Sequence, residues 1–139
     1  MEQGQRTMLA VRQERAILVA CLLPNHTADP HDPLGELRAL ADTAGAIVVD
    51  ELMQNRAKPD AGTFIGSGKV QELAEMVQVH DAHVVVFDND LTPSQIAKIE
   101  QTVECKVLDR SELILDIFAS RARTHEAKLQ VELAQLEYT

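Results

Sequence analysis

The sequence predicts an α/β fold: a mostly parallel sheet of about four to five strands with helices on both faces, followed by a long C-terminal helix. Two patterns support this prediction. Short continuous apolar runs have the length of strands that are covered on both faces. These runs alternate with segments whose apolar residues recur at helical spacing, which favours parallel strands joined by helices. At 139 residues, the chain is long enough to bury a core.

The first strand and the first helix are separated by a turn-rich loop. Residues 16–23 form an unbroken apolar run, which predicts a strand after a polar and flexible amino-terminal segment over residues 1–14. At the end of the loop, Asp32 is predicted to cap the first helix and Pro33 to occupy its first position. Gly45 is predicted to end that helix.

A second strand and a glycine-rich turn precede the second helix. Residues 46–49 are apolar and predict a strand that extends to about Gln54. Residues 63–65 predict a short strand, and a glycine-rich turn follows over residues 66–68. From Lys69 the apolar residues have helical spacing, so the second helix is expected to begin there.

The third helix has a clear start signal. Thr92 is predicted to cap it, Pro93 to take its first position, and Gln95 to reach back and complete a capping box. The apolar runs on either side, over residues 83–87 and 106–108, predict the third and fourth strands.

The last segment predicts a long helical region. Asp109 and Glu112 fit a second capping box. The α/β domain is predicted to span residues 15–122, with residues 123–139 as a further helical arm. Apolar residues of this arm form two stripes, so it needs neighbours on two sides: the domain, and either a returning helix of a hairpin or a second chain. A single broad face buried on the domain is the alternative. One stripe consists of Leu129, Leu133 and Leu136, and the other of Ala127, Val131, Ala134 and Tyr138.

Composition narrows the function. Twenty-two acidic residues against thirteen basic ones give a net charge of −9, which disfavours general electrostatic capture of nucleic acid. Aromatic residues make up 3%, too few for a surface that stacks bases on rings.

Cys21 and Cys105 lie in apolar stretches and are expected to be free thiols. The longest apolar run is too short to span a bilayer and no signal peptide is recognised, so a cytoplasmic protein is expected.

The glycine-rich turn is a weak candidate for binding an anion or a nucleotide. Such turns present backbone N–H groups where they open a helix, and a lysine adds positive charge. The candidate residues are Gly66, Ser67, Gly68 and Lys69. A true phosphate loop requires glycine where Thr63 stands and a hydroxyl where Val70 stands. A tight turn without a ligand is therefore the favoured interpretation.

An acidic loop follows the third predicted strand. Asp88, Asn89 and Asp90 lie where open α/β sheets place ligand groups, and their oxygens suit magnesium. No second cluster is identifiable that would complete a metal site, and the five histidines lack metal spacing. A solvated loop leading into the third helix is favoured, and no metal is expected in this chain.

The most basic stretch lies over residues 119–128. It contains three basic residues and one acidic residue in an otherwise acidic chain. Arginine is suited to phosphate recognition, whereas a solvated or internally paired face is the alternative. The candidates for contact with RNA are Arg121, Arg123, His125 and Lys128.

Three blocks of sequence closely resemble the N-terminal domain of HflX-type GTPases. They are TFIGSGKVQEL over residues 63–73, VVVFDNDLTPSQ over 84–95, and VLDRSELILDIFASRARTHEAKLQVELAQLEY over 107–138. The third block is long and highly specific, and the first two are moderately so. With the order of strands and helices, the resemblance covers about residues 15–139.

The resemblance implies a role in translation. HflX-type proteins are GTPases that bind the large ribosomal subunit, approach its RNA, and split or rescue stalled ribosomes, notably under stress. In them, the α/β domain is followed by a helical hairpin and a GTP-binding domain. It implies that residues 123–139 are the first arm of that hairpin. GTP and magnesium are then expected only in the GTP-binding domain, and neither a cofactor nor GTP hydrolysis is expected from this chain alone.

Two alternative functions remain open at the level of sequence. One is a small ATP-binding domain that uses the turn from Gly66 to Lys69, because ATP binding is also attributed to this domain of the family. The other is a self-associating interaction module that forms a homodimer through its unpaired C-terminal helix.

Overall fold

A computed structural model describes the backbone of residues 11–138 and the side chains of residues 11–130. Four parallel strands form one sheet in the order β2-β1-β3-β4, which confirms the predicted parallel sheet. The strands are β1 (Arg15–Leu22), β2 (Ile47–Asn55), β3 (Val84–Phe87) and β4 (Lys106–Asp109).

Helices cover both faces of the sheet, as predicted. They are α1 (Gly35–Thr43), α2 (Ser67–His80), α3 (Pro93–Val103) and α4 (Arg110–Tyr138). Helices α2 and α3 pack on one face, while α1 and the beginning of α4 pack on the other. A hydrophobic core lies on each face of the sheet, and β1 contributes to both because successive residues of a strand point to opposite faces. Ile17 and Val19 pack in the core with α2 and α3. Ala16 and Leu18 pack in the core with α1 and α4.

Local start and stop signals predict two helix ends correctly. The Thr92 hydroxyl accepts the Gln95 N–H at 3.1 Å, and the Gln95 side chain accepts the Thr92 N–H at 2.9 Å. These bonds form the predicted capping box of α3. Gly45 follows α1 with φ of +84°, a backbone conformation that favours glycine, and its N–H donates to the Asp42 carbonyl.

The predicted start of α1 is wrong by two residues. The helix begins at Gly35, and Leu34 stands at the cap position without a side-chain cap. The Asp32 carboxylate is instead held by the Arg38 guanidinium, with two N···O distances of 3.1 Å. The Asp32 carboxylate thus lies beside the start of α1 but bonds the Arg38 side chain rather than a backbone N–H of the helix.

The predicted short strand over residues 63–65 is also wrong. The segment forms only an isolated bridge between Asp60 and Phe64. Phe64 has φ of +65°, a left-handed backbone that interrupts extended structure. The Asp60 carboxylate further folds the segment into a turn by accepting the N–H groups of Gly62 and Thr63, at 2.8 and 3.0 Å.

Helix α4 begins directly after β4 and continues without interruption for 29 residues, a length of about 44 Å. The Asp109 carboxylate accepts the Glu112 N–H at 3.0 Å, as predicted for the cap. We call residues 110–117 the root of α4, because Leu113 and Ile117 are buried there against α1. We call residues 121–138 the distal arm, of which residues 121–130 are exposed.

The amino-terminal segment is described only in part. Val11 is buried beside α1, and the Glu14 carboxylate lies 2.8 Å from the Lys106 ammonium. The prediction of flexibility for residues 1–10 falls outside the described residues.

Candidate functional site

The strand order creates a cleft at the carboxyl edge of the sheet. The chain leaves β1 toward α1 on one face and leaves β3 toward α3 on the other, so the two loops diverge between adjacent strands. Open α/β sheets commonly bind ligands at such a position. The cleft has a volume of about 460 Å³. Its polar lining includes His26, Thr27, Asp29, Asp32, Glu36, Asp88, Asn89 and Arg110.

The side chains of the acidic loop after β3 are committed to contacts within the chain. The Asp88 carboxylate lies 2.9 Å from the Arg110 guanidinium, and the Asp90 carboxylate accepts the Ser111 hydroxyl at 2.7 Å. The Asn89 amide bonds both the N–H and the carbonyl of Cys21, at 2.8 and 3.0 Å. The loop therefore joins β1 and α4 to β3. Among the described residues, no cluster of metal-binding side chains is found.

Arg110 forms two ion pairs on the wall of the cleft. Its guanidinium donates to Glu36 at 2.7 Å and to Asp88 at 2.9 Å. The hydrogen bond that Arg110 donates to Glu36, together with the nearby Asp88 charge, raises the pKa of Arg110. Four carboxylates line the cleft beside Arg110. The lining therefore carries a net negative charge, which disfavours a phosphate ligand.

The glycine-rich turn forms the first turn of α2. Gly66 stands at the cap position, and Ser67, Gly68 and Lys69 follow within the helix. The Gly66 N–H donates to the Gln54 side chain at 2.8 Å. This backbone N–H is therefore already bonded within the chain and is not available to an anion. The Lys69 ammonium lies 3.1 Å from the Glu72 carboxylate. Gly66, Ser67, Gly68 and Lys69 therefore lie together at the start of α2. None of them lines the cleft between β1 and β3.

Thr63 has a structural role in the turn before α2. Its hydroxyl donates to the Ile65 carbonyl at 2.9 Å, while its N–H is held by Asp60. The N–H groups of Thr63 and Gly62 hold the pKa of the Asp60 carboxyl below its usual value. The sequence reasoning missed the role of Asp60, although an aspartate two residues before glycine is a recognised turn signal.

The four RNA-contact candidates all lie on the distal arm. Arg121, Arg123, His125 and Lys128 are exposed. Residues two apart in a straight helix point in different directions, so Arg121 and Arg123 lie on different sides of α4.

Exposed apolar side chains run along the same helix. Leu115 is 66% exposed, Phe118 61% and Leu129 45%. Their spacing, with Ala122 between Phe118 and Leu129, places them on one face of α4. Of the two stripes expected from the sequence, Leu129 and Ala127 are exposed, and the other members lie outside the residues with described side chains.

Neither cysteine forms a disulfide, in agreement with the expected free thiols. Cys21 is buried in β1, and burial raises its pKa. Desolvation and the nearby Glu100 carboxylate raise the pKa of Cys105 to about 11, which makes it a poor nucleophile. Within the part of the chain that the structure describes, no helix has the length and apolarity needed to cross a membrane.

Comparison with known proteins identifies relatives of the chain. A family model described as the GTP-binding GTPase N-terminal matches residues 31–119. The GTPase HflX of Lacrimispora saccharolytica is 46% identical over 129 residues, which cover 91% of this chain and 30% of that protein. The GTPase HflX of Escherichia coli strain K12 is 46% identical over 125 residues, which cover 90% of this chain and 29% of that protein.

Solved structures show the same fold. A crystal structure of SsGBP in complex with GDP matches with a TM-score of 0.61 and 25% identity, covering 91% of this chain and 35% of that chain. A GTP-binding protein from Sulfolobus solfataricus matches with a TM-score of 0.56 and 23% identity, covering 91% of this chain and 37% of that chain.

The fold and the exposed arm define the class: a parallel α/β domain that carries a long projecting helix. The chain spans about 30% of the length of the curated relatives that it matches. It belongs to the family of GTP-binding GTPase N-terminal domains, and it is similar to the N-terminal part of the GTPase HflX. The resemblance found in the sequence is thereby confirmed.

Proposed function

We propose that the chain is the ribosome-binding and regulatory N-terminal domain of an HflX-type GTPase. In this proposal it associates with the large ribosomal subunit in the cytoplasm and helps to split or rescue ribosomes. Family membership supports the assignment to this class of GTPase. The role on the ribosome is what the family resemblance implies.

The exposed basic side chains of the distal arm carry the proposal. Arg121, Arg123, His125 and Lys128 extend from the α/β domain on a helix whose residues 121–130 are all exposed. Arginine donates several hydrogen bonds to phosphate and keeps its charge at any physiological pH. A protein with a net charge of −9 needs such a local basic surface to approach RNA.

The exposed apolar face of α4 supports a second contact, with the rest of a longer protein. Leu115, Phe118 and Leu129 are exposed on one side of α4, and residues 121–130 of the helix are all exposed. Exposed apolar side chains aligned along a helix are typical of helix pairing. We propose that residues 123–139 are the first arm of a helical hairpin, and that the GTP-binding domain lies elsewhere in the full-length protein.

GTP hydrolysis is assigned in this proposal to that GTP-binding domain, where GTP and magnesium would bind. In this chain, Thr63 and Val70 replace the glycine and the hydroxyl that a phosphate loop requires. Thr63 is also committed to the turn through its bond to Ile65.

Titration against large ribosomal subunits tests the RNA contact. The double variant Arg121→Ala/Arg123→Ala is expected to bind more weakly than the parent chain. Its dependence of log K on log [salt] is expected to be shallower by about 1, because Arg121 and Arg123 lie on different sides of α4 and one RNA surface is contacted by one of them. The matched control is Lys58→Ala/Lys98→Ala, which removes the same charge from exposed sites on the α/β domain.

The control separates a specific contact from a change in net charge. If both double variants weaken binding equally, the distal arm has no special role. If the parent chain does not bind large subunits at all, or binds without any influence of salt, the proposed RNA contact is wrong.

Nucleotide binding at the amino end of α2 is a second candidate. A side chain added at Gly68 would meet no atom within 4 Å, so this side of the first turn of α2 is open, whereas the Gly66 N–H is already bonded to Gln54. Calorimetry with ATP and with GTP tests this candidate, and Lys69→Ala is the control. A saturable heat that Lys69→Ala abolishes would support it, whereas absence of heat at millimolar nucleotide would exclude it.

A further inference from the structure

The root of α4 is fixed to the sheet edge by side chains that come from three different elements. Arg110 bridges Asp88, which follows β3, and Glu36, in the first turn of α1. Ser111 donates to Asp90 at 2.7 Å. We call the group of Arg110, Asp88 and Glu36 the Arg110 clasp.

These contacts lie at the base of a long lever. The buried side chains that hold α4 to the core, Leu113 and Ile117, belong to its first two turns. Lys128 lies 18 residues beyond Arg110, which is about 27 Å along the helix. A rotation of about 10° at the root therefore moves this point by about 5 Å.

The two sides of the Arg110 clasp differ in strength. The Asp88 side chain is 20% exposed and follows a fully buried strand, so its position is fixed. The Glu36 side chain is 81% exposed, so water and salt reach this ion pair and break it more easily than the Asp88 pair. Glu36 and Arg110 also line the cleft, so solutes that enter the cleft reach the weaker side.

We propose that the Arg110 clasp sets the direction of α4 relative to the sheet, and that release of its Glu36 side changes the direction of the distal arm. Glu36 joins Arg110 to α1, the helix against which the root of α4 packs. With Glu36 released, the root keeps its apolar contacts and the Asp88 pair but loses the charged contact that fixes α4 to α1. The carboxyl edge of the sheet thereby controls where the exposed arm points.

Electron paramagnetic resonance distances on the 139-residue chain test this proposal. Spin labels are placed at Glu75→Cys on α2 and Lys128→Cys on the arm, in a background of Cys21→Ala and Cys105→Ser. Glu36→Gln is expected to shift or broaden the distance distribution by up to about 5 Å, the displacement that a rotation of about 10° produces at Lys128. Arg110→Gln is expected to have a larger effect.

Arg38→Gln is the matched control. Arg38 also bridges two carboxylates, Asp32 and Glu51, but it has no described contact with α4. A shift in the Glu36→Gln distribution with no shift for Arg38→Gln supports the proposal. It is overturned if Glu36→Gln leaves the distribution unchanged, or if Arg38→Gln changes it equally. Melting curves identify any variant that fails to fold. If Arg110→Gln fails to fold, the result for Glu36→Gln alone decides whether the proposal holds.

Discussion

The two halves of α4 have the same backbone conformation but opposite surroundings. In the root, Leu113 is fully buried and Ile117 nearly so, both against α1 and the sheet. In the distal arm, residues 121–130 are exposed, including Leu129. Most of the stability of helices in proteins comes from packing of one face, which the root has and residues 121–130 of the arm lack. The difference shows that the root belongs to the packed domain, whereas residues 121–130 of the arm lie outside its core.

The largest expected effect comes from truncating the same residue type in the two halves. Leu113→Ala is expected to lower the free energy of unfolding by about 3 kcal/mol, because it leaves a cavity in the core. Leu129→Ala removes an exposed side chain and is expected to change the value by less than about 0.5 kcal/mol. Urea denaturation measures both. Equal costs would show that the arm is packed like the root.

The junction between β4 and α4 gives the next effect. The buried Asp109 carboxylate accepts the N–H groups of Glu112 and Leu91, each at 3.0 Å. Asp109→Ala is expected to cost about 2–3 kcal/mol, because it removes a helix cap and leaves a buried N–H unpaired. Asp109→Asn keeps one acceptor oxygen and is expected to cost less. If thermal melting shows no loss for Asp109→Ala, the root does not depend on this cap.

Two glycines within the α/β domain give a smaller effect with opposite signs. Gly68 has an ordinary backbone and open space around it, so Gly68→Ala is expected to raise the free energy of unfolding by about 0.5–1 kcal/mol. Gly45 has φ of +84°, and an added Cβ would lie 3.2 Å from the Arg12 Cγ, so Gly45→Ala is expected to destabilise. Denaturant midpoints compare the two variants. A destabilising Gly68→Ala would contradict the described geometry.

The smallest expected effect is on how the stability of the α/β domain depends on pH, through the carboxylate of Asp60. The folded-state pKa of Asp60 lies below its unfolded value, so its carboxylate favours the folded state above that unfolded value, about 3.9. This contribution is lost as the pH falls through the folded-state pKa. Asp60→Asn is therefore expected to flatten the decline in stability between about pH 5 and pH 3. Denaturation across this range measures it, and an unchanged slope would show that Asp60 is not coupled to folding.

Prediction from the sequence succeeds where the signal is local. The capping box of α3 involves Thr92 and Gln95, three residues apart, and the apolar runs show the strands directly. Prediction fails at Asp32 because this side chain bonds Arg38 instead of capping α1, and Arg38 is itself held by Glu51 on β2, 13 residues later in the chain. Capping rules consider only neighbouring residues and do not include such a distant partner.

The candidate site depends on contacts that are distant along the chain. Arg110 and Glu36 are 74 residues apart, and Cys21 and Asn89 are 68 residues apart. Their encounter follows from the strand order, which places β1 beside β3. The sequence singled out Asp88, Asn89 and Arg121, but it contained no sign of the role of Arg110.

Hydrogen exchange tests the contrast between the α/β domain and the distal arm most directly. In the chain alone, amides of β3 are expected to exchange slowly and those of residues 121–130 quickly. On addition of large ribosomal subunits, residues 121–130 are expected to gain protection while β3 is unchanged. An arm already as protected as β3 in the monomeric chain, or an arm that gains nothing when large subunits bind, would contradict the account.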